Sequence, residues 1–387
     1  MMRAGAILLV LNSVTLAGPY NESGVAGWVD GFFRPAPPPG STGYTRHPDP
    51  NSIRVHPLFR GWATGYRDYM PSGSNWDPGN IWKNPFRALG PATGNLMDIV
   101  SLGDLTESEL LSGILPGSIT LSFGDPNRPE SESIRNGRGY DFAVFENAIL
   151  SLVSTPGGSI AGRTMAELAF VEVSTNGIDF ARFPSVSLTA GRVGPYGTID
   201  VTDVYNVAGK HPNADSVCTG TPFDLDDLRD HPMVQEGYVN LDDIRFIRLV
   251  DIPGNGSFSD QSTDFPDPSS YDPNSVSHFQ PYSSVHPIYD AWLTFGSGGF
   301  DLEAVGVLRE QQFSADINLD GRVDLEDWAL FARAWQKRFG QVGYLARCDL
   351  TSPKDASVDM DDLVQFSGQW LSVEDWRIES TRYEGAL

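Results

Sequence analysis

The chain has 387 residues, with 40 Gly, 28 Pro and only 20% charged residues, a balance that suits turn-rich β structure better than long helices. Its formal net charge of −23 repels nucleic-acid phosphates, so a DNA- or RNA-binding role is not expected. Past the N-terminus no stretch is long and apolar enough to form a membrane-spanning helix.

The first residues, MMRAGAILLVLNSVTLAG, read as a secretory signal peptide over 1–18. Arg3 supplies the positive start, Ala4 to Leu11 the apolar core, and Thr15-Leu16-Ala17 the small-residue cleavage site. The expected location is therefore extracellular or at the cell surface. No Cys follows the cleavage site, which argues against a lipid anchor. An oxidising compartment permits a disulfide between Cys218 and Cys348, but their spacing does not require one. The six His are scattered, with no metal-site spacing.

Residues 20–100 are rich in Pro, Gly, Trp and Tyr and are expected to form long loops packed on a sandwich. Trp62, Tyr66, Tyr69, Trp76 and Trp82 lie there. They are candidates for stacking on sugar rings, although anchoring of the loops is the favoured role for them. Strand signals follow at GSITLSF (117–123), YDFAVFEN (140–147), DIRFIRLVDI (243–252) and GFDLEAVGVL (299–308), and YDFAVFEN alternates, with Phe142 and Val144 on one face and Ala143 and Phe145 on the other. AELAFVEVSTNGIDFARF (166–183) reads as a hairpin turning at Asn176-Gly177, a pair that tolerates the positive φ angles of tight turns. Short strands bounded by Gly, Pro, Asn and Asp imply a mostly β domain, a β-sandwich spanning 19–310.

A glycosidase would need two carboxylates on one face. Asp141 and Glu146 are five residues apart, as are Glu167 and Glu172, so on regular strands each pair points to opposite faces. No nucleophile elbow, P-loop or Cys/His pattern is present, which makes an enzyme the less favoured expectation. Asp251, Asp290 and Asp301 lie near strand ends, where capping of turns competes with binding of a structural calcium ion.

After a short linker (311–313), VDLEDWALFARAW (323–335) aligns with VDMDDLVQFSGQW (358–370) at an offset of 35 residues, an internal duplication. Each copy runs from an acidic loop into a helix. Trp328, Phe331 and Trp335, and likewise Leu363, Phe366 and Trp370, share a helical face and are expected to pack as core. The first loop matches a twelve-residue calcium loop. Asp316, Asn318 and Asp320 stand at positions 1, 3 and 5, and Gly321 takes the sharp turn at 6. The Arg322 carbonyl is at 7, Asp324 at 9 and Asp327 at 12. A solvated turn that caps a helix is the competing reading; spacing, Gly and duplication together favour calcium. The second loop lacks the Gly and carries about two extra residues, leaving Asp349, Thr351, Asp355, Asp359 and Asp362 as ligands if it bulges.

Two resemblances add to this reading. FVEVSTNGIDFARF, IRFIRLVDI and FDLEAVGVL resemble strands of discoidin-like, galactose-binding-fold modules. Together with DFAVFEN, GTPFDL and GGFDLEAVGV they are similar to a family of secreted bacterial cell-surface proteins of unassigned function. That resemblance implies a jelly roll and no particular activity. A calcium loop followed by only one helix, and duplicated, resembles a dockerin over 314–372, with a tail at 373–387. The dockerin resemblance implies a cohesin-like or other surface-protein partner. Leu325-Glu326 and Met360-Asp361, at the positions that help choose that partner, differ from the hydroxyl pairs of cellulosomal modules. The sandwich is then expected to recognise a surface ligand such as a glycan. The alternatives are a carbohydrate-active enzyme with a dockerin tail, or a structural envelope component.

Overall fold

The computed structural model describes residues 18–27, 29–30, 54–56, 58–73, 79, 81–214, 218–260, 285–294, 298–309, 311–351 and 354–374. The signal-peptide residues before Gly18, Trp76 and most of the tail lie outside them.

The chain is mostly β. Eleven strands form one antiparallel sheet. In chain order these are β1 (Val25–Ala26), β2 (Phe59–Met70), β3 (Val100–Ser101), β4 (Ser118–Asp125), β5 (Arg128–Glu132) and β6 (Phe142–Glu146). They continue with β7 (Ala169–Ser174), β8 (Ala181–Arg182), β9 (Thr219–Phe223), β10 (Phe246–Asp251) and β11 (Asp301–Leu308). The spatial order is β1-β9-β6-β11-β2-β4-β10-β7-β8, with β3 on β11 and β5 on β4. Four short helices are described: α1 (Glu107–Leu111), α2 (Pro232–Gln235), α3 (Leu325–Ala334) and α4 (Met360–Gly368). None of the described helices is long and apolar enough to cross a membrane.

The sheet curls because β2 serves both of its halves. Its first residues pair with β11, placing Trp62 opposite Gly306. Its later residues pair with β4, placing Tyr66 opposite Leu121. Register shifts interrupt both ladders, and bulges of this kind bend a strand and increase its twist. The two halves thus face each other across one apolar interior. Phe142, Val144, Val305 and Phe223 come from one half; Ile119, Leu121, Val171, Val173, Ile247 and Leu249 come from the other. The residues between them point outward into two further clusters. Phe59, Trp62, Ala143, Phe145 and Leu308 pack outside one half, and Phe170 and Val250 outside the other. The alternation read in YDFAVFEN is therefore the alternation observed.

Two expectations need correction, and one open question is answered. The stretch expected to be loops contains β2, the longest strand of the sheet. Its Gly61, Gly65 and Asp68 break the two-residue period at the register shifts, which hid it. The 166–183 hairpin exists, but Val173 pairs with Ala181, so the connection is longer than a two-residue turn. Asn176 caps it through its side chain, accepting from the N–H groups of Ile178 (2.8 Å) and Asp179 (2.9 Å). No disulfide joins Cys218 to Cys348: Cys218 lies against the outer cluster of the sheet, and Cys348 is buried in a separate cluster around α3 and α4.

The outer face of β7 also buries charge. Glu172 accepts from Arg182 Nε at 2.8 Å and pairs with Arg248, while the Arg182 guanidinium sits 4.3 Å from the Phe170 ring centre. Both Glu172 and Arg182 are almost fully buried. Glu172→Ala removes the buried carboxylate that Arg182 and Arg248 share, and the expected loss is about 3–5 kcal/mol of unfolding free energy in chemical denaturation.

Candidate functional site

The acidic loops precede α3 and α4, and the same carboxylates that define them also organise their backbones. In the first loop Asp316 is buried. Its Oδ2 accepts the Gly321 N–H at 2.9 Å, and its Oδ1 the Asp320 N–H at 3.2 Å. Asn318 Oδ1 accepts from Asp320 N–H, and Asp320 Oδ1 from Arg322 N–H. Asp327, also buried, accepts from the N–H groups of Ile317 (2.7 Å), Asn318 (3.0 Å) and Asp324 (2.9 Å). Asp324 and Asp327 form a capping box that starts α3. Leu319 (φ +62°) and Gly321 (φ +81°) take the left-handed turns that fold the loop back.

The second loop repeats this pattern despite its extra residues. Asp362 Oδ1 accepts from Leu350 and Thr351, and Oδ2 from Asp359. Asp349 Oδ2 accepts the Ala356 N–H at 2.8 Å, as Asp316 accepts that of Gly321. Thr351 Oγ1 donates to Asp349, Asp355 Oδ1 accepts from Ser357, and Asp359 with Asp362 caps α4. Ala356 stands where the first loop has Gly321 and adopts the same left-handed conformation (φ +64°). In sequence the two additional residues fall between Thr351 and Asp355, and both ends of the loop are equivalent to the first copy.

The copies clasp each other with two-fold regularity. Val323 N–H donates to the Ser372 carbonyl, and Val358 N–H to that of Lys337. Leu371 donates to Val323 as Gln336 donates to Val358, and Glu374 to Gly321 as Phe339 to Ala356. Each loop is therefore held by the segment that follows the other helix. The helices cross at Phe331 and Phe366, whose ring centres are 5.1 Å apart and which are buried. The expectation that all the helix aromatics form core is wrong at two positions. Trp328 and Trp370 are each 40% exposed and, with Leu325 (70% exposed), Leu363, Phe366 and Ser367, line an apolar groove of about 330 Å³. The crossing point satisfies the central Phe pair and leaves its flanks open.

The module also rests on the sandwich. Leu319, at the tip of the first loop, enters the cluster with Phe59, Trp62 and Phe145, and Arg347 stacks 3.8 Å from the Tyr140 ring centre.

Electrostatically the loops are short of cations. Burial, with Asp327 alongside, pushes the Asp316 carboxyl up to about 8. Burial also raises Asp327 and Asp349. Hard oxygen donors on a hydrogen-bonded backbone, with Asp316, Asp327 and Asp349 penalised for their charge, are chemistry that suits calcium. The carboxylates are turned onto backbone amides, and among the described residues no three His, Cys, Asp or Glu side chains are gathered as a ready-made metal-binding group.

In the sandwich, Asp141 serves the backbone, accepting from Gly137 and Leu225, and Glu172 serves the arginines, so neither within-strand carboxylate pair forms a site. Pairing along a strand was the wrong question: burial raises the carboxyl of Glu167 with Glu146 close enough to add to the rise. Tyr66 packs on Phe86, Tyr69 donates to the Ser101 carbonyl, and Trp62 is largely buried against Phe59. Trp62 nonetheless borders a cleft of about 770 Å³ with Arg60, Thr64, Glu132, Arg135 and Arg245. No family model, curated protein or solved structure matches the chain.

Ala356→Gly removes a left-handed penalty of about 1 kcal/mol and is expected to raise the thermal midpoint; Gly321→Ala is expected to lower it by a similar energy. Thermal unfolding of the full chain in chelator reads both.

Proposed function

We propose that the chain is a secreted, non-catalytic binding protein whose C-terminal module takes calcium in the loops Asp316–Asp327 and Asp349–Asp362 and docks, in the manner of a dockerin, onto another surface protein. The observation that carries this reading is the residue-for-residue repetition of the loop framework in two copies that clasp each other. Positions 1, 3, 5, 9 and 12 keep oxygen-bearing side chains in both copies, and position 7 keeps its carbonyl. A solvated turn needs no such repetition. The exposed groove between α3 and α4 supports the docking half of the proposal. Leu325, Trp328 and Trp370 offer apolar contact beside exposed Glu326 and Asp361, which suits a partner with an apolar patch rimmed by Lys or Arg.

For the sandwich, the cleft beside Trp62 supports recognition of a polar ligand such as a glycan. It combines cationic, anionic and hydroxyl groups, the inventory that hydrogen-bonds sugar hydroxyls. The enzyme reading loses support because Glu146 and Glu167 are sealed inside the protein, away from that cleft.

The test is calcium titration of the full chain by calorimetry and thermal unfolding. Asp316→Asn and Asp349→Asn keep an amide-accepting oxygen but remove the charge. Each is expected to abolish binding at its own loop and part of the calcium-induced rise in midpoint, which at a hundredfold excess over Kd amounts to about 2.7 kcal/mol per site. If neither substitution changes the titration, the calcium reading fails. Binding of the full chain to a glycan panel, weakened by Arg135→Ala in the cleft, is the expected result for the sandwich; an empty panel removes the glycan.

A further inference from the structure

The interior of the curled sheet is apolar along most of its length and acidic at one end. Strand alternation places the change. On β6, Phe142 and Val144 face inward, so Glu146 at the strand's end is on the inward side as well. On β10, Ile247 and Leu249 face inward, and Asp251 follows in phase. Asp251 pairs with Ala169 of β7, and Glu167 is two residues before it. Carboxylates from both halves of the sheet therefore converge where the interior closes. Asp104 joins them from the loop after β3, and Asp290 from the segment leading to Trp292.

All five are buried, and among the described residues none has a Lys, Arg or His ion pair. Their hydrogen bonds use only part of their capacity. Asp251 Oδ1 accepts the Phe300 N–H at 2.8 Å, Asp290 Oδ2 accepts that of Leu168 at 2.7 Å, and Glu167 accepts from Thr294 Oγ1. The second oxygen of Asp251, Oδ2, has no partner, and neither does Glu146 Oε2 or Asp104 Oδ1. A buried carboxylate oxygen left bare costs several kcal/mol in general, and three at one end of the interior call for positive charge there. Burial first, and then repulsion from neighbouring carboxylates, Asp301 among them, hold all five carboxyls above their usual range. The backbone is crowded there. Gly299 (φ +77°) has no room for a Cβ, which would collide with the Gly103 carbonyl and stand 2.9 Å from Asp251 Oδ1.

We propose that this end of the sandwich holds a calcium ion, bound by Glu146, Asp251 and Asp104 through their unpartnered oxygens and supported by Glu167. The donors are all hard oxygen, with no imidazole or thiolate among them, which selects calcium over zinc or copper. The side chains are not already drawn into a ligand shell; the ion supplies the attraction that gathers them and adds a tie between the two halves of the sheet beside the apolar contact of Leu302 and Ala169. The site is independent of the C-terminal loops, so either proposal can fail alone.

The experiment uses the full chain with both loops disabled by Asp316→Asn and Asp349→Asn, purified in calcium and passed through a desalting column. Metal analysis is expected to find one calcium per chain, and a chelator is expected to lower the thermal midpoint. Adding Glu146→Gln and Asp251→Asn should abolish the retained ion and make the midpoint insensitive to chelator. Asp104→Asn alone, milder for folding, should weaken retention at least tenfold. A loop-disabled chain that is folded by circular dichroism, retains no ion and ignores chelator overturns the proposal. So does an ion that survives Asp104→Asn and the Glu146/Asp251 pair unchanged.

Discussion

The fold depends on one strand belonging to two half-sheets. Phe59–Met70 pairs with Asp301–Leu308 at its start and with Ser118–Asp125 at its end, and the register shifts between let it turn the corner. Without that continuity the apolar faces of Phe142–Glu146 and Phe246–Asp251 would have no reason to oppose each other. With it, Phe142 and Val144 meet Ile247 and Leu249 across one interior, and burial of those faces supplies the stabilising surface. The same curl brings Glu146, Glu167 and Asp251 together at its end, a juxtaposition no single strand contains.

Two acidic clusters in this chain handle their charge differently. In the C-terminal loops, carboxylates accept backbone N–H groups, cap α3 and α4, and keep Asn318, Asp320 and Asp355 partly open to solvent. Such loops can stand without a cation. At the end of the sandwich, three carboxylate oxygens have neither amide nor water-facing surface. The cost of burying them falls on the folded state itself, so an ion there would bear on the stability of the sheet, while ions in the loops would bear on the clasp between the two helical copies.

The C-terminal module was the most legible part of the chain because duplication is visible in one dimension. Val, Asp, Asp, Phe and Trp recur at a constant spacing, and a helix turns that spacing into a repeated face. What the repeat did not reveal was which aromatics stay outside. Phe331 and Phe366 meet at the helix crossing, while Trp328 and Trp370 flank it, and the crossing point is a property of two helices together. The long strand Phe59–Met70 was missed because its glycines and its Asp68 conceal the two-residue period where it bends.

From the sequence alone came the β-rich class, the inward and outward alternation of YDFAVFEN, the hairpin around Asn176-Gly177, and the two acidic loops with their ligand-like spacing. Each of these is a local pattern, written by side-chain periodicity or turn chemistry within a few residues. Tertiary structure alone decided that one strand would serve two half-sheets, that Glu146 would face Glu167 and Asp251 rather than Asp141, and that each loop would be clasped by the segment beyond the other helix. Those outcomes depend on long-range pairing, and long-range pairing is chosen by which apolar faces can be buried together, a property of the whole chain.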